Sequence, residues 1–252
     1  MHAIGLTDIP DIVAGDDLAA LILKSLMAAG VRPEAGDCLV VAQKIVSKAE
    51  GRHQYLSSVK ASARALELAA ETGKDPRLVE LILAESSAVM RVRPGLIIVR
   101  HKLGLVMANA GIDKSNIVAP QADDEVVLLL PQNPDFSASQ IRRKIIDAFG
   151  IPIAVIIADS FGRPWRMGTT NVAIGLAGFA AVEDLRQMPD RYGRKLEVSM
   201  VGVADQLAAT AGVIMGEADA GIPAVWLSGT KLPEAQGCLE HIIRPIDLDL
   251  FT

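Results

Sequence analysis

Ile153-Ala154-Val155-Ile156-Ile157-Ala158-Asp159-Ser160 is the stretch from which the rest of the chain is read. Its first six residues are apolar and rich in β-branched side chains, with no alternation of polar positions. Such a run reads as a strand covered on both faces, and it is far too short to span a bilayer. It then stops abruptly at an Asp-Ser pair. Upstream, Ser137 to Phe149 has helical spacing, with Ser137 or Ser139 as cap and Gly150 as stop. Downstream, Asp159 to Asn171 is rich in Gly, Thr and Arg and has neither helical nor strand periodicity. It is too long and too polar for a simple connection.

Cys38 to Ala42, entered through Gly36-Asp37, is a second apolar run of the same kind and predicts another central strand. Before it, Leu18, Leu21, Ile22, Leu26 and Ala29 recur at helical spacing over Asp16 to Ala29, ending at Gly30. Ser57 to Thr72 and Asp75 to Ser87 predict two more helices, the first closed by Gly73. Val92 to Arg100 and Leu105 to Ala110 predict strands joined through Gly104. Glu125 to Leu130 is a further strand, leading into the loop Pro131 to Asp135. Gln206 to Glu217 reads as a helix and Pro223 to Leu227 as a short closing strand. Helices and strands mix without strict alternation, which favours an α+β fold over a doubly wound sheet. No repeat, low-complexity segment or linker divides residues 1–252.

The chain carries 25 Lys+Arg against 30 Asp+Glu, a net charge of −5. That balance argues against nucleic acid and anionic membranes as partners, because both are met by basic surfaces. Half the residues are hydrophobic, too many for a disordered chain. The N-terminus lacks the basic and apolar regions of a secretory signal. Cys38 and Cys238 read as independent reduced thiols, so a cytoplasmic location is expected. There is no Walker loop, dinucleotide glycine fingerprint, zinc-type Cys/His spacing or Gly-x-Ser-x-Gly elbow.

Four constellations remain. Gln43-Lys44-Ile45-Val46-Ser47-Lys48-Ala49-Glu50-Gly51-Arg52 leaves the end of the Cys38 strand as a loop, where Lys44 and Lys48 suit phosphate oxygens. Taken alone, it reads more simply as a solvated surface loop. Gly111-Ile112-Asp113-Lys114-Ser115-Asn116 offers a carboxylate for Mg²⁺ or Mn²⁺, although Asp and Asn are equally ordinary turn formers. Asp159-Ser160-Phe161-Gly162-Arg163-Pro164-Trp165-Arg166 sets a metal- and phosphate-binding pair at a strand end. Its arginines could serve a site or stack on Trp165. Met215-Gly216-Glu217-Ala218-Asp219 places two acids after a helix, either completing a metal site or lying solvated at the helix end.

Together these segments resemble the coenzyme F420:L-glutamate ligase family, the gamma-glutamyl ligases of the deazaflavin coenzyme. Ile9-Pro10-Asp11-Ile12, Gly15-Asp16-Asp17-Leu18 and Leu130-Pro131…Pro134-Asp135 extend the likeness in family order over nearly the whole chain. The Asp159 to Arg166 element is its most specific part. The resemblance implies two interlocked α+β subdomains with mixed sheets, a homodimer and a GTP site without a Walker loop. It implies a reaction in which the amine of L-glutamate joins a carboxylate of the deazaflavin coenzyme precursor F420-0, through an acyl phosphate, with GDP and phosphate released.

Carried onto this chain, Ile9, Pro10, Asp11, Ile12, Gln43, Lys48, Asn116, Met215 and Gly216 would contact the nucleotide. Asp113 and Asp159 would hold one divalent metal, Mg²⁺ or Mn²⁺, and Ser160 and Glu217 a second. A monovalent cation would be a further ligand. Lys48, Asp159 and Arg163 would act in catalysis. Gln43 stands where the family often has Ser, Thr169-Thr170-Asn171 replaces a usual Gln-x-Asp, and Gln206 stands where Glu is common. These departures leave open a ligase of the same fold acting on a different acid or amine, and beside it a non-catalytic nucleotide-binding protein.

Overall fold

The computed structural model describes residues 1–115, 117 and 125–249. The elements are, in chain order, β1 (His2–Leu6), α1 (Leu18–Ala28), β2 (Cys38–Ala42), α2 (Gln43–Ala49), β3 (His53–Tyr55), α3 (Ala63–Thr72), α4 (Pro76–Ala84), β4 (Ser86–Arg93), β5 (Leu96–His101), β6 (Val106–Ala108), β7 (Val126–Leu128), α5 (Pro134–Phe149), β8 (Ala154–Gly162), β9 (Thr169–Ala177), β10 (Glu183–Asp184), β11 (Met200–Val201), α6 (Val203–Met215) and β12 (Ala224–Ser228). This is the α+β mixture expected.

The main sheet runs β1-β12-β2-β8-β9. β2 and β8, the two apolar runs, pair parallel at its centre, with Val40 opposite Ile156. Their neighbours β12 and β9 pair with them antiparallel, so the sheet is mixed. Successive side chains of a strand point to opposite faces, and here both faces are covered. Leu39, Val41, Val155 and Ile157 pack with Ile22 and Leu26 of α1 and Ile141 and Ile145 of α5. Val40, Ala154 and Ile156 turn the other way, onto Leu207, Ala208 and Ala211 of α6. That double burial is why neither strand alternates in the sequence.

A separate antiparallel sheet, β4-β5-β6, carries α3 and α4 over its own core of Leu68, Val79, Ile82, Ile97 and Val99. β3 and β7 form a third pairing, and a single bridge from Asp113 to Leu128 ties the following turn to it.

Several elements differ from the sequence expectation. The run after β2 is helical, not a loop: Ile45 and Val46 face inward at helical spacing while Gln43, Lys44 and Lys48 share the other side. β8 does not stop at Ala158 but continues to Gly162, and β9 begins at Thr169, so most of the expected loop is a hairpin. Its polar residues masked the strand because the hairpin runs out beyond the cover of the core. α5 starts at Pro134, with Asn133 rather than a serine accepting from the Phe136 amide. Proline suits a first helical position because it has no amide to satisfy there. α3 begins only at Ala63, after a 3₁₀ turn at Leu56–Ser58. The strand expected over 92–100 is a hairpin, β4 and β5, broken at Gly95 in the left-handed region. β12 is an interior strand because the unforeseen β1 covers its outer edge. Among the described residues no helix is long and apolar enough to cross a membrane.

Candidate active site

A cavity of about 690 Å³ opens at the C-terminal ends of the parallel pair, lined by Ala42 from β2 and by Ala158, Asp159 and Ser160 from β8. Strand ends of this kind leave backbone and side chains facing outward from a rigid sheet, which is where open α/β sheets hold ligands. Three more segments close round it. Ile9 to Ile12 arrives from the end of β1, Asp113, Ser115 and Ile117 from the small sheets, and Met215 to Asp219 from the end of α6.

α2 begins at the first residue after β2, so its polar side is built into the wall. Gln43 is buried and accepts a hydrogen bond from Ser47 Oγ at 2.9 Å. One turn apart, Lys44 and Lys48 both line the cavity. Lys44 Nζ lies 2.7 Å from Asp113 Oδ2 and donates to Ser115 Oγ at 2.9 Å. The other oxygen of Asp113 accepts the Ser115 amide at 2.7 Å. Its backbone exchanges two hydrogen bonds with Leu128, which fixes the turn to β7. Burial pushes the Asp113 carboxyl up, but the Lys44 ammonium and the Ser115 amide and hydroxyl outweigh it and hold the group below the ordinary aspartate range.

Asp159 is the opposite case. Among the described residues it forms no ion pair, and its one hydrogen bond is from the adjacent Ser160 amide at 2.9 Å. Burial pushes its carboxyl up to about 7, and the negative charges of Asp113 and Glu217 add to the rise against the opposing pull of the Ser160 amide and Lys44. A register irregularity between Ile157 and Ala158 comes immediately before it. Such a bulge re-aims the side chains that follow. Ser160 pairs across the hairpin with Asn171, which also lines the cavity and whose Nδ2 donates to Met215 Sδ at 3.8 Å. Gly212 of α6 makes room for it: a Cβ there would lie 2.6 Å from Asn171 Cγ and Oδ1.

Ile9, Pro10, Asp11, Ile12, Gln43, Lys48, Asp113, Asp159, Ser160, Met215, Gly216 and Glu217 thus meet in one place. Arg163 does not: it sits on the exposed tip of the β8–β9 hairpin, outside the cavity lining. Proline 164, Trp165 and Gly168 form that tip, with Trp165 in the left-handed region and 88 % exposed. Asn116 lies outside the described residues. Lys44, expected beside Lys48 at phosphate oxygens, lines the same wall, and the structure adds Ser115 and Asn171 to it. Ser115 belongs to the Gly111–Asn116 motif but carries no signal of its own there. Asn171 had no local signal, because only the hairpin register brings it to Ser160.

Residues 7–229 match the model of the F420-0:gamma-glutamyl ligase family, a span that contains every residue lining the cavity. The chain belongs to that family. Over 250 residues it is 45 % identical to the coenzyme F420:L-glutamate ligase of Methanothermobacter thermautotrophicus, covering 98 % of this chain and 97 % of that protein. The enzyme of the same name from Methanopyrus kandleri is 44 % identical, over 88 % of this chain and 84 % of its own. That of Archaeoglobus fulgidus is 42 % identical, over 96 % and 92 %. By family membership the chain is a ligase, and the cavity is the part of this gamma-glutamyl ligase fold in which Asp113, Asp159, Glu217, Lys44 and Lys48 converge.

Proposed function

We propose that this chain joins L-glutamate to a carboxylate of the deazaflavin coenzyme precursor F420-0, with GTP as the energy source and Mg²⁺ or Mn²⁺ as the metal. The observation that carries the reading is Asp159, half-buried at the end of β8 with no ion pair among the described residues, within reach of the fields of Asp113 and Glu217, in a cavity that Lys44 and Lys48 also line. The names of the relatives supply the acid and the amine.

The donor set suits a hard divalent cation. Its members are carboxylate and hydroxyl oxygens, and burial pushes the Asp159 carboxyl up to about 7, more than the opposing pull of the Ser160 amide and Lys44 offsets. Among the described residues no group of three or more His, Cys, Asp or Glu is close enough to enclose an ion. That fits Mg²⁺, which takes one or two carboxylates and completes its shell with water and substrate phosphates. Asp113 and Asp159 would hold one ion, and Ser160 and Glu217 a second. Bound there, the metal would offset the charge on the phosphates.

The nucleotide would lie between Ile9–Ile12 and Met215–Gly216, its phosphates toward the strand ends. A cavity of about 690 Å³ is of the size that holds such a ligand. Lys48 would carry positive charge to the phosphates from the wall of α2, and Gln43, held by Ser47, would present its free amide hydrogens beside it. An unactivated carboxylate resists attack by an amine. The γ-phosphoryl would therefore pass to the acceptor carboxylate, its bond to the β-phosphate oxygen breaking as the new P–O bond forms. The glutamate nitrogen would then attack the acyl carbon and expel phosphate. Catalysis on this scheme is mostly positioning and charge stabilisation by a wall preset by the sheet.

Phosphate release from GTP tests the proposal when metal, L-glutamate and F420-0 are omitted one at a time. Release and coupled glutamylation are expected only when all are present. Tight GTP and metal binding with no ligated product would overturn it.

A further inference from the structure

Asp113 is asked to bind a metal, yet both of its carboxylate oxygens are already engaged. Oδ1 takes the Ser115 amide at 2.7 Å and Oδ2 takes the Lys44 ammonium at 2.7 Å. The first partner is backbone in a turn that the Leu128 bridge pins to β7, so it stays. The second is the end of a flexible four-carbon chain on the cavity wall, about a quarter exposed. A divalent ion on Asp113 would stand about 2.1 Å from its oxygen. With the ammonium on that same oxygen, two cations would be crowded within a few ångströms.

We infer that Lys44 is a cationic placeholder: in the metal-free protein it holds Asp113 in position, and it must leave Asp113 when the divalent ion loads, freeing its ammonium for the anionic phosphates that arrive with it. This rests on the metal-dependent reading above and deepens it by assigning a role to a residue outside the proposed ligand set. The arrangement has three consequences. Asp113 does not swing away when the site is empty. The acidic cluster is partly neutralised until metal arrives. Metal binding uncovers a phosphate-binding cation one helical turn from Lys48.

Lys44 is a positioning residue on this view, and binding and melting expose its role without any turnover. Mn²⁺ binding, followed by electron paramagnetic resonance without nucleotide, should tighten by about tenfold in Lys44→Met, since the competing cation is gone. The melting temperature of Lys44→Met should fall below that of the wild type in metal-free buffer, and the gap should close in saturating Mn²⁺, where Lys44 no longer holds Asp113. Lys48→Met removes the same charge from the same cavity without an ion pair to Asp113, and should show a smaller affinity change and no metal-dependent gap. Lys44→Arg keeps the cation with a bidentate fork and should bind Mn²⁺ no more tightly than the wild type, which provides a folded counterpart if the Met variant is unstable. A melting deficit of Lys44→Met that is the same with and without Mn²⁺, together with unchanged Mn²⁺ affinity, would overturn the inference while leaving the metal site standing. Absence of Mn²⁺ binding in wild type and variants alike would remove the metal reading and the inference with it.

Discussion

Two groups of charged residues in this chain are built to opposite ends. In the first, Arg52 donates from Nε to the Leu130 carbonyl at 2.8 Å and from Nη2 to Glu85 Oε2 at 2.6 Å, while His101 lies buried 3.8 Å from the same oxygen. His101 Nδ1 accepts the Leu103 amide at 2.9 Å, which leaves the proton on Nε2, directed into the group. In this set the guanidinium of Arg52 ties β3's approach to the end of α4 and to Leu130. In the second, Lys44 and Lys48 stand on the wall with Asp113, Asp159 and Glu217, and among the described residues the one ion pair formed there is Lys44 to Asp113. Balanced charge around Glu85 joins two parts of the fold. Unbalanced charge around Asp159 waits for something to bind. Side chains of the same kind can thus be structural or functional, and the count of counter-charges separates the two.

The largest expected effect is on activity. Asp159→Asn should lower glutamylation by about a thousandfold or more, because it would remove the proposed metal ligand where the phosphoryl group would be transferred. Its melting temperature should not drop, since a buried carboxylate without a partner gains nothing by being charged. The Arg52 group should answer in the reverse sense. Arg52→Met leaves Glu85 without its fork and should cost about 3 kcal/mol in denaturant unfolding, with turnover per folded molecule retained.

Acid and base should pull the two groups in opposite directions. Glu85 is held below the ordinary glutamate range, first by its contact with His101 and then by Arg52 and Lys102, against burial. A depressed carboxyl adds stability above its unfolded value and loses it as pH falls through about 4. Asp159 is raised to about 7, so the native state binds more protons than the unfolded chain at pH 4 to 7. Stability of the metal-free protein therefore falls as pH rises through that window. Comparing unfolding of Glu85→Gln and Asp159→Asn with the wild type from pH 3 to 8 should flatten the acid limb in one and the neutral limb in the other. The smallest effect belongs to Gly212→Ala, whose Cβ would displace Asn171 from the wall. The KM for GTP should rise about three- to tenfold with little change in kcat, since only the fit of the wall is altered.

Much of this architecture could be read in the chain, and where it could not the cause is physical. Cys38–Ala42 was a strand with the bounds expected, because double burial leaves an uninterrupted apolar run. The segment after it reads as a loop although Ile45, Val46 and Ala49 have helical spacing. Seven residues with a lysine-rich outer side are too short for that periodicity to stand out. The β8–β9 hairpin was hidden for a related reason: beyond Ala158 its side chains face a cavity and solvent, so the buried pattern ends before the strand does. Most of the site was visible only through likeness of motifs. Asp113 and Glu217 are single acids in ordinary turns, and what joins them to Asp159 is sheet order, which no local window contains. The resemblance implies a catalytic Arg163, but four residues along an extending hairpin carry it from Asp159 out of the cavity lining.

The distinction between the two charged groups comes down to which one binds a cation. Mn²⁺ affinity should be measured in the presence of GTP for the wild type, Asp113→Asn, Asp159→Asn and Glu85→Gln. Each aspartate variant should weaken binding by about tenfold or more, with Glu85→Gln matching the wild type. Wild-type Mn²⁺ affinity in Asp159→Asn would contradict the assignment of this cavity as a metal-assisted nucleotide site.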